Sequence, residues 1–160
     1  MIWLNAFPFM DVPGPTPAVR WEKIPIFAGL QPSALDFLIA KARKIVARPG
    51  EIIVREGETG NRMFLIRSGQ VRVRKGESDP VEIAIVNPGD FFGEMCILET
   101  LPRAATVEAL TDCVFSTLSS INFYQFYEAM PSQYSVLILN IARDLSRSLR
   151  RCDEVFAARG

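Results

Sequence analysis

The chain has 160 residues, 49% of them hydrophobic, with 18 Lys plus Arg balanced by 18 Asp plus Glu and no histidine. That length holds about one domain, and the apolar content excludes a disordered tail or a disulfide-stapled miniprotein. Zero net charge argues against a general nucleic-acid or membrane-surface binder, and the missing histidine removes Ser-His-Asp and Cys-His catalysis together with His-based metal sites.

Pro8, Pro13, Pro15 and Pro17 crowd the first 17 residues, a stretch that cannot sustain a helix or a sheet ladder. Residues 1–19 therefore read as an extended arm with apolar anchors Trp3, Phe7 and Phe9, lying on the domain or docking a partner. With its lead-in, the arm is taken as residues 1–23 and the domain proper as 24–160. Ala34, Leu35, Leu38, Ile39 and Ala42 recur at helical spacing and predict a helix over 32–46, with Pro32 in its first turn and Ser33 as cap. Pro49-Gly50 closes it. Turn signals then alternate with short runs at 52–54, 63–66, 71–74, 81–86, 105–110 and 114–118. Alternation in V-R-V-R and V-E-I-A-I marks half-buried strands, and short strands at this spacing predict a β-sandwich or barrel over about 45–119. Past 119 the helical code returns, as a short piece over 120–129 and a final helix over 132–157. Leu137, Ile141, Leu145, Leu149, Cys152 and Phe156 form one apolar stripe on the latter. Its other face carries Arg143, Asp144, Arg147, Arg150, Arg151 and Asp153. Such a helix either packs on the barrel with a solvated basic face or docks on a ligand mouth or another subunit.

Cys96, Cys113 and Cys152 share no CxxC spacing and read as free thiols in a reducing compartment. No apolar run approaches the ~18–20 residues of a spanning helix, and residues 1–10 lack a basic n-region. A cytoplasmic protein without a membrane partner is expected.

Chemistry concentrates in residues 89–107, G-D-F-F-G-E-M-C-I-L-E-T-L-P-R-A-A-T-V. Gly93 permits a tight turn, and residues 94–98 can form one helical turn whose first N–H groups are unpaired. Pro102 then breaks any helix and delivers Arg103, the one cation in the 67 residues between Lys75 and Arg143. Arginine grips phosphate with a planar fork, and Ala104 and Ala105 allow close backbone approach. Ionised Glu94 only accepts hydrogen bonds, so it wants hydroxyl or N–H donors. The segment suits a ligand holding both hydroxyl and phosphate. Alternatively, Glu94 and Arg103 form an internal ion pair and bind nothing.

The same segment resembles the phosphate-binding cassette of cyclic nucleotide-binding domains, whose pattern runs F-G-E-x-A/S-L and then P-R-A/S/T-A-T/S. P-G-E-I-I-V-R-E-G-E-T-G-N-R-M-F-L-I-R-S-G-Q-V-R-V (49–73), with Gly50, Gly57, Gly60 and Gly69, resembles the family's first signature. I-P-I-F-A-G-L (24–30) matches its usual lead-in. The resemblance covers roughly residues 24–157. It implies a mainly β fold with flanking helices: an eight-stranded jelly-roll β-roll, an N-terminal helix and a C-terminal helical lid. It also implies that Glu94 accepts the ribose 2′-hydroxyl and that Arg103 pairs with the cyclic phosphate. Backbone near Met95, Cys96, Ala104 and Ala105 completes the phosphate cradle, with Gly93 permitting the approach. Cys96 replaces the usual Ala or Ser and is small enough to fit. Val71, Ile83 and Ile85 are either purine walls or ordinary core. A hydroxyl at the position of Ala104 favours cGMP in the family, so alanine there favours cAMP, a preference of about 1 kcal/mol; Thr106 is nearby. Leu149, Arg150 and Phe156 are the lid candidates, with Arg150 or Arg151 covering the purine by a cation–π contact or simply solvated.

The implied role is a non-enzymatic sensor with no metal and no cofactor beyond its ligand, cAMP or else cGMP. Binding moves the last helix and is relayed to a protein effector, with a homodimer through that helix as one arrangement. The chain ends three residues after the helix, too few for a DNA-reading element. A stand-alone sensor is the expectation, and a piece of a larger protein the alternative. The rivals are a degenerate module that binds protein without nucleotide and a cupin-like enzyme, the latter disfavoured by the absent histidines.

Overall fold

The computed structural model describes residues 18–99 and 101–157, apart from the side chains of Cys96, Cys152, Asp153 and residues 155–157. The arm's prolines and its anchors Trp3, Phe7 and Phe9 lie outside the described residues, as do the side chains of Cys96 and Phe156. Two short 3-10 turns, Trp21–Lys23 and Pro25–Phe27, open the described chain. Trp21 is buried and stacks on Phe27, so the packed body begins before residue 24.

Helix α1 spans Pro32–Lys41. It stops short of the expected residue 46 because Ala42 turns extended and Arg43–Ala47 becomes strand β1. Ile45 and Val46 are β-branched and stiff at χ1, which suits a pleated surface better than a helix. Pro32 occupies the first turn, but the cap position belongs to Gln31, whose N–H donates to the Gln133 side chain at 2.7 Å. Ser33 makes no cap.

The remaining strands are β2 (Ile52–Val54), β3 (Arg62–Ser68), β4 (Val71–Lys75), β5 (Val81–Val86), β6 (Phe91–Phe92), β7 (Thr106–Ala109) and β8 (Cys113–Ser119). They form two four-stranded antiparallel sheets, ordered β1-β8-β3-β6 and β2-β7-β4-β5. This is the eight-stranded jelly roll. The single turn α2 (Met95–Leu98) lies between β6 and β7. Helix α3 (Ser120–Ala129) starts from a capping box in which Ser119 and Asn122 bond reciprocally. Helix α4 (Pro131–Ala157) follows at once.

Two apolar clusters hold the fold, and β3 serves both. Its run Met63-Phe64-Leu65-Ile66 is buried on both faces, as alternation requires when each side of a strand is covered. Phe64 and Ile66 enter the roll with Val71, Phe92, Val107 and Phe115. Met63 and Leu65 face the helices, packing with Ile24, Leu38, Leu118, Phe126, Leu137 and Ile141. The first half of α4 is tied to the 3-10 segment by Asn140, whose Nδ2 donates to the carbonyls of Ile26 at 2.9 Å and Ala28 at 2.7 Å. Leu145 still packs on the apolar cluster, whereas Leu149, one turn further, is 65% exposed. No described helix is long and apolar enough to cross a membrane.

Candidate functional site

Strand β6 ends at Phe92, and Gly93 (φ +83°) turns the chain so that Glu94 becomes the N-cap of α2. A side chain at this φ is strained. A Cβ there would also strike the Arg62 carbonyl and the Arg103 guanidinium. The loop after α2 returns Arg103 to the same place. Its main chain is fixed from both sides: the Arg103 N–H donates to the Glu58 carbonyl, and the Gly57 N–H donates to the Arg103 carbonyl, each at 2.8 Å.

The Arg103 side chain is only 8% exposed. Nη2 donates to the Arg62 carbonyl at 2.9 Å, and Nη1 makes a long contact of 3.5 Å with the Gly93 carbonyl. Its Cζ lies 5.7 Å from the centre of the Phe64 ring, within cation–π range. Neutral carbonyls and an aromatic face hold the cation, and among the described residues no carboxylate lies within ion-pairing distance of it. No ion pair joins Arg103 to Glu94 within 4.0 Å. The internal ion pair that would have made the two residues purely structural is absent.

Gly60 completes the enclosure. A Cβ on it would overlap the Nε, Cζ and Nη2 atoms of Arg103. Its φ is not in the left-handed region, so space, rather than backbone freedom, is what glycine supplies here. The sequence shows Gly60 as one glycine of a turn; its closeness to a residue 43 positions later is a tertiary fact. Overpacking of this kind costs about 1–3 kcal/mol. Gly60→Ala is expected to lower the melting temperature and to weaken phosphate-ligand binding by displacing the guanidinium, as thermal melts and titration calorimetry on the same sample would check.

Glu94 is partly buried, and desolvation pushes its carboxyl above the ordinary value of 4.5. Its own backbone N–H pulls the other way; Asp144 of α4 raises it further and Arg103 lowers it. The native state thus holds this proton more tightly than the unfolded chain. The associated stability is full below the unfolded carboxylate range and is lost as pH rises through the raised pKa. Glu94→Gln, neutral at every pH, is expected to raise the melting temperature near pH 8 more than near pH 4, and differential scanning at both values would test it.

The remaining candidates scatter. Ala104 is exposed and Ala105 partly so, with the Thr106 hydroxyl next to them accepting from the Glu56 N–H at 3.0 Å. Met95 is exposed. Val71 is fully buried inside the roll. Ile83 is 56% exposed and falls at a bulge in β5. The extra residue shifts the alternation, and it is Val86 and, across the pairing, Val73 that pack on the inner cluster. Ile85 is exposed too. Leu149 and Arg150 are both exposed. Among the described residues no cluster of His, Cys, Asp and Glu could hold a metal ion.

The family model described as "Cyclic nucleotide-binding domain" matches residues 44–130. The potassium/sodium hyperpolarization-activated cyclic nucleotide-gated channel 4 of Homo sapiens is 35% identical over 108 residues, 68% of this chain but 9% of the channel. The chain therefore spans only a small part of the curated relatives it matches. Among solved structures, the Thermus thermophilus catabolite activator protein superposes with a TM-score of 0.73 at 27% identity, covering 83% of this chain and 62% of that one. The regulatory domain of Toxoplasma gondii PKA, crystallised with cAMP, gives 0.66 at 26% identity, covering 76% and 47%. A cyclic nucleotide-binding domain from Methylobacillus flagellatus gives 0.78 at 23% identity, covering 87% and 83%, a likeness of fold.

Proposed function

Because the chain belongs to the cyclic nucleotide-binding domain family, we propose that it is a regulatory sensor that binds cAMP in preference to cGMP. The observation that carries this reading is Arg103, a buried guanidinium held by carbonyls and an aromatic ring, with no carboxylate partner among the described residues. A cyclic phosphate is the anion that satisfies it. Glu94, on the other side of Gly93, accepts the ribose 2′-hydroxyl, and the backbone N–H groups near Cys96 and Ala105 complete the phosphate cradle. Ala104 offers no hydroxyl to a guanine, which leaves the adenine nucleotide favoured by about 1 kcal/mol.

The protein's work in this reading is binding and movement, without catalysis. Phosphate drawn to Arg103 pulls the 94–103 loop inward, and the second half of α4, in which no described side chain beyond Leu145 packs on the apolar cluster, swings toward the base. Leu149 and Arg150, now exposed, are the side chains with the most to gain from such a cover. Ligand shifts this equilibrium only by its differential affinity for the two positions of the helix. The relay ends on a protein effector or a second copy of the chain, in the cytoplasm.

The two bonds from Arg103 to main-chain carbonyls favour a second reading, in which the cassette is a closed structural unit and the fold binds protein alone. Calorimetric titration with cAMP and with cGMP separates the two. Saturable heat, tighter for cAMP, supports the sensor; no heat with either nucleotide supports the closed module.

A further inference from the structure

The sheet β1-β8-β3-β6 turns one face to the roll and the other outward, and the outward face is covered only in part. Met63, Leu65 and Leu118 on that face lie under the helices. Two residues at a time along β8, the face runs on through Ser116 to Val114, which pair with Lys44 and Val46 of β1. Val46 and Val114 are half-buried, yet they belong to neither apolar cluster. Here a groove of about 310 Å3 opens between the end of α1 and the sheet, with Ile39, Ala42 and Val114 among its walls. That volume lies in the range of pockets that enclose a small ligand. Ala18, the first described residue, also lines the groove. The chain is pinned at that point. The Val19 N–H donates to the Arg67 carbonyl at 2.8 Å, Arg67 Nε donates back to the Val19 carbonyl, and Arg67 Nη1 donates to the Ser116 hydroxyl at 3.2 Å. Residues 1–17 are thus tethered at the groove's own wall.

We infer that this groove is the seat of the chain's own residues 1–17, with Phe7 and Phe9 as the anchors. Composition favours that occupant: Ile2, Trp3, Leu4, Phe7, Phe9 and Met10 crowd the segment, and a run of this kind left in water is an association hazard. Charge favours it too. The one charged side chain of residues 1–17 is Asp11, whereas Arg43, Lys44 and Arg67 line the groove. Reach is sufficient, since the nine residues from Phe9 to Ala18 span about 28 Å at the ~3.1 Å per residue of an extended proline-rich chain. That is enough to turn back over a groove that starts at Ala18. The tether decides between this segment and a free partner, because a segment tied to the wall meets the site at an effective concentration in the millimolar range. Pro8 disfavours helical backbone at Phe7, and on extended chain Phe7 and Phe9 present to the same side. The inference needs no nucleotide and stands apart from the sensor reading.

The test uses the full chain and two readouts. In the first, a photoreactive benzoyl-phenylalanine is placed at Phe7, and in a second sample at Phe9, and the cross-linked peptides are mapped by mass spectrometry. Expected is a product of monomer mass joined to peptides that carry residues 39–44 or 114–116. Products joined only to other surfaces, or none from either position, would overturn the inference. So would a product of dimer mass, which seats the arm of a second copy. In the second readout, Phe7→Ala/Phe9→Ala is expected to lower the melting temperature by roughly 4–8 °C. Ile39→Gln/Val114→Thr, which respects helix and strand propensity, strips the groove of apolar surface and should lower it as well. All four substitutions together should fall well short of the sum, because both pairs remove the same contact. Full additivity, or an arm variant that melts like the wild type, is the result expected of an arm that meets a separate partner, and either overturns the inference.

Discussion

If the chain binds a cyclic nucleotide as proposed, replacing Arg103 with alanine is expected to lower the affinity by roughly 10- to 150-fold, the equivalent of the 1.5–3 kcal/mol carried by a charged hydrogen bond. The argument begins from charge supply. Between Lys75 and Arg143 the chain offers one cation, and the fold buries it. Its guanidinium is pre-positioned: main-chain bonds to Gly57 and Glu58 fix the backbone, the Arg62 carbonyl orients Nη2, and Phe64 supports the plane. Little rotamer entropy remains to be lost when an anion arrives, which is why truncation should cost the upper part of the range. Alanine also leaves the Arg62 carbonyl without its side-chain donor, so some loss of stability accompanies the loss of affinity. Arg103→Lys separates the two, since it keeps the charge but forfeits the fork. Calorimetry on both variants, with circular dichroism to confirm folding, checks the expectation. Wild-type affinity in a folded Arg103→Ala would move the site elsewhere.

The largest effect on stability is expected at Phe115. Its ring is fully buried and meets Phe64 and Phe92 edge-on, at 6.1 and 5.9 Å, while those two stack at 4.9 Å. The three rings fill the centre of the roll from β8, β3 and β6, where edge-to-face geometry adds to the burial itself. Phe115→Ala removes the ring and leaves a cavity that strands on both sides prevent from collapsing. The expected cost is about 3–5 kcal/mol, a fall in melting temperature of roughly 6–20 °C for a chain of this size. Denaturant melts monitored by circular dichroism would measure it. Because Phe64 is also the plate beneath Arg103, the surviving folded fraction should bind nucleotide more weakly, even though Phe115 touches no part of the cassette's charged groups.

Much of this architecture was legible before any coordinates. The alternation in 71–74 and 81–86, the punctuation by glycine and the two helices after 119 correspond to β4, β5, α3 and α4. The resemblance of residues 89–107 and 49–73 to one family is matched by the family comparison. What escaped the sequence shares a cause: it depends on contacts across the chain. β1 follows α1 with only Ala42 between them and no glycine or proline to mark the change, and its pairing with β8 is what makes it a strand. β6 is two residues long, too short for any period to register. The bulge in β5 reverses which residues face inward, and alternation carries no sign of an inserted residue. The apolar stripe of α4 was visible along its length, yet among its described residues Leu137, Ile141 and Leu145 pack in the fold while Leu149 is exposed, because a stripe specifies a face and not what covers it. At the site itself, Glu94, Gly93 and Arg103 stood out by type and spacing. Gly60 and the Arg62 carbonyl did not, since they reach Arg103 only after β3 has folded beside the cassette.

The double-faced burial of β3 has a consequence for how the molecule comes apart. Met63 and Phe64 are chain neighbours, yet each is wedged into a different apolar cluster, and the strand cannot be withdrawn from one without vacating the other. Helices and roll should therefore unfold as one cooperative unit, without a partly melted state in which the roll survives and the helical layer has dissolved. The amides of β3 should open to exchange only when everything opens, and the slowest-exchanging segment of the chain is then the one that supplies both the floor and a carbonyl partner of Arg103.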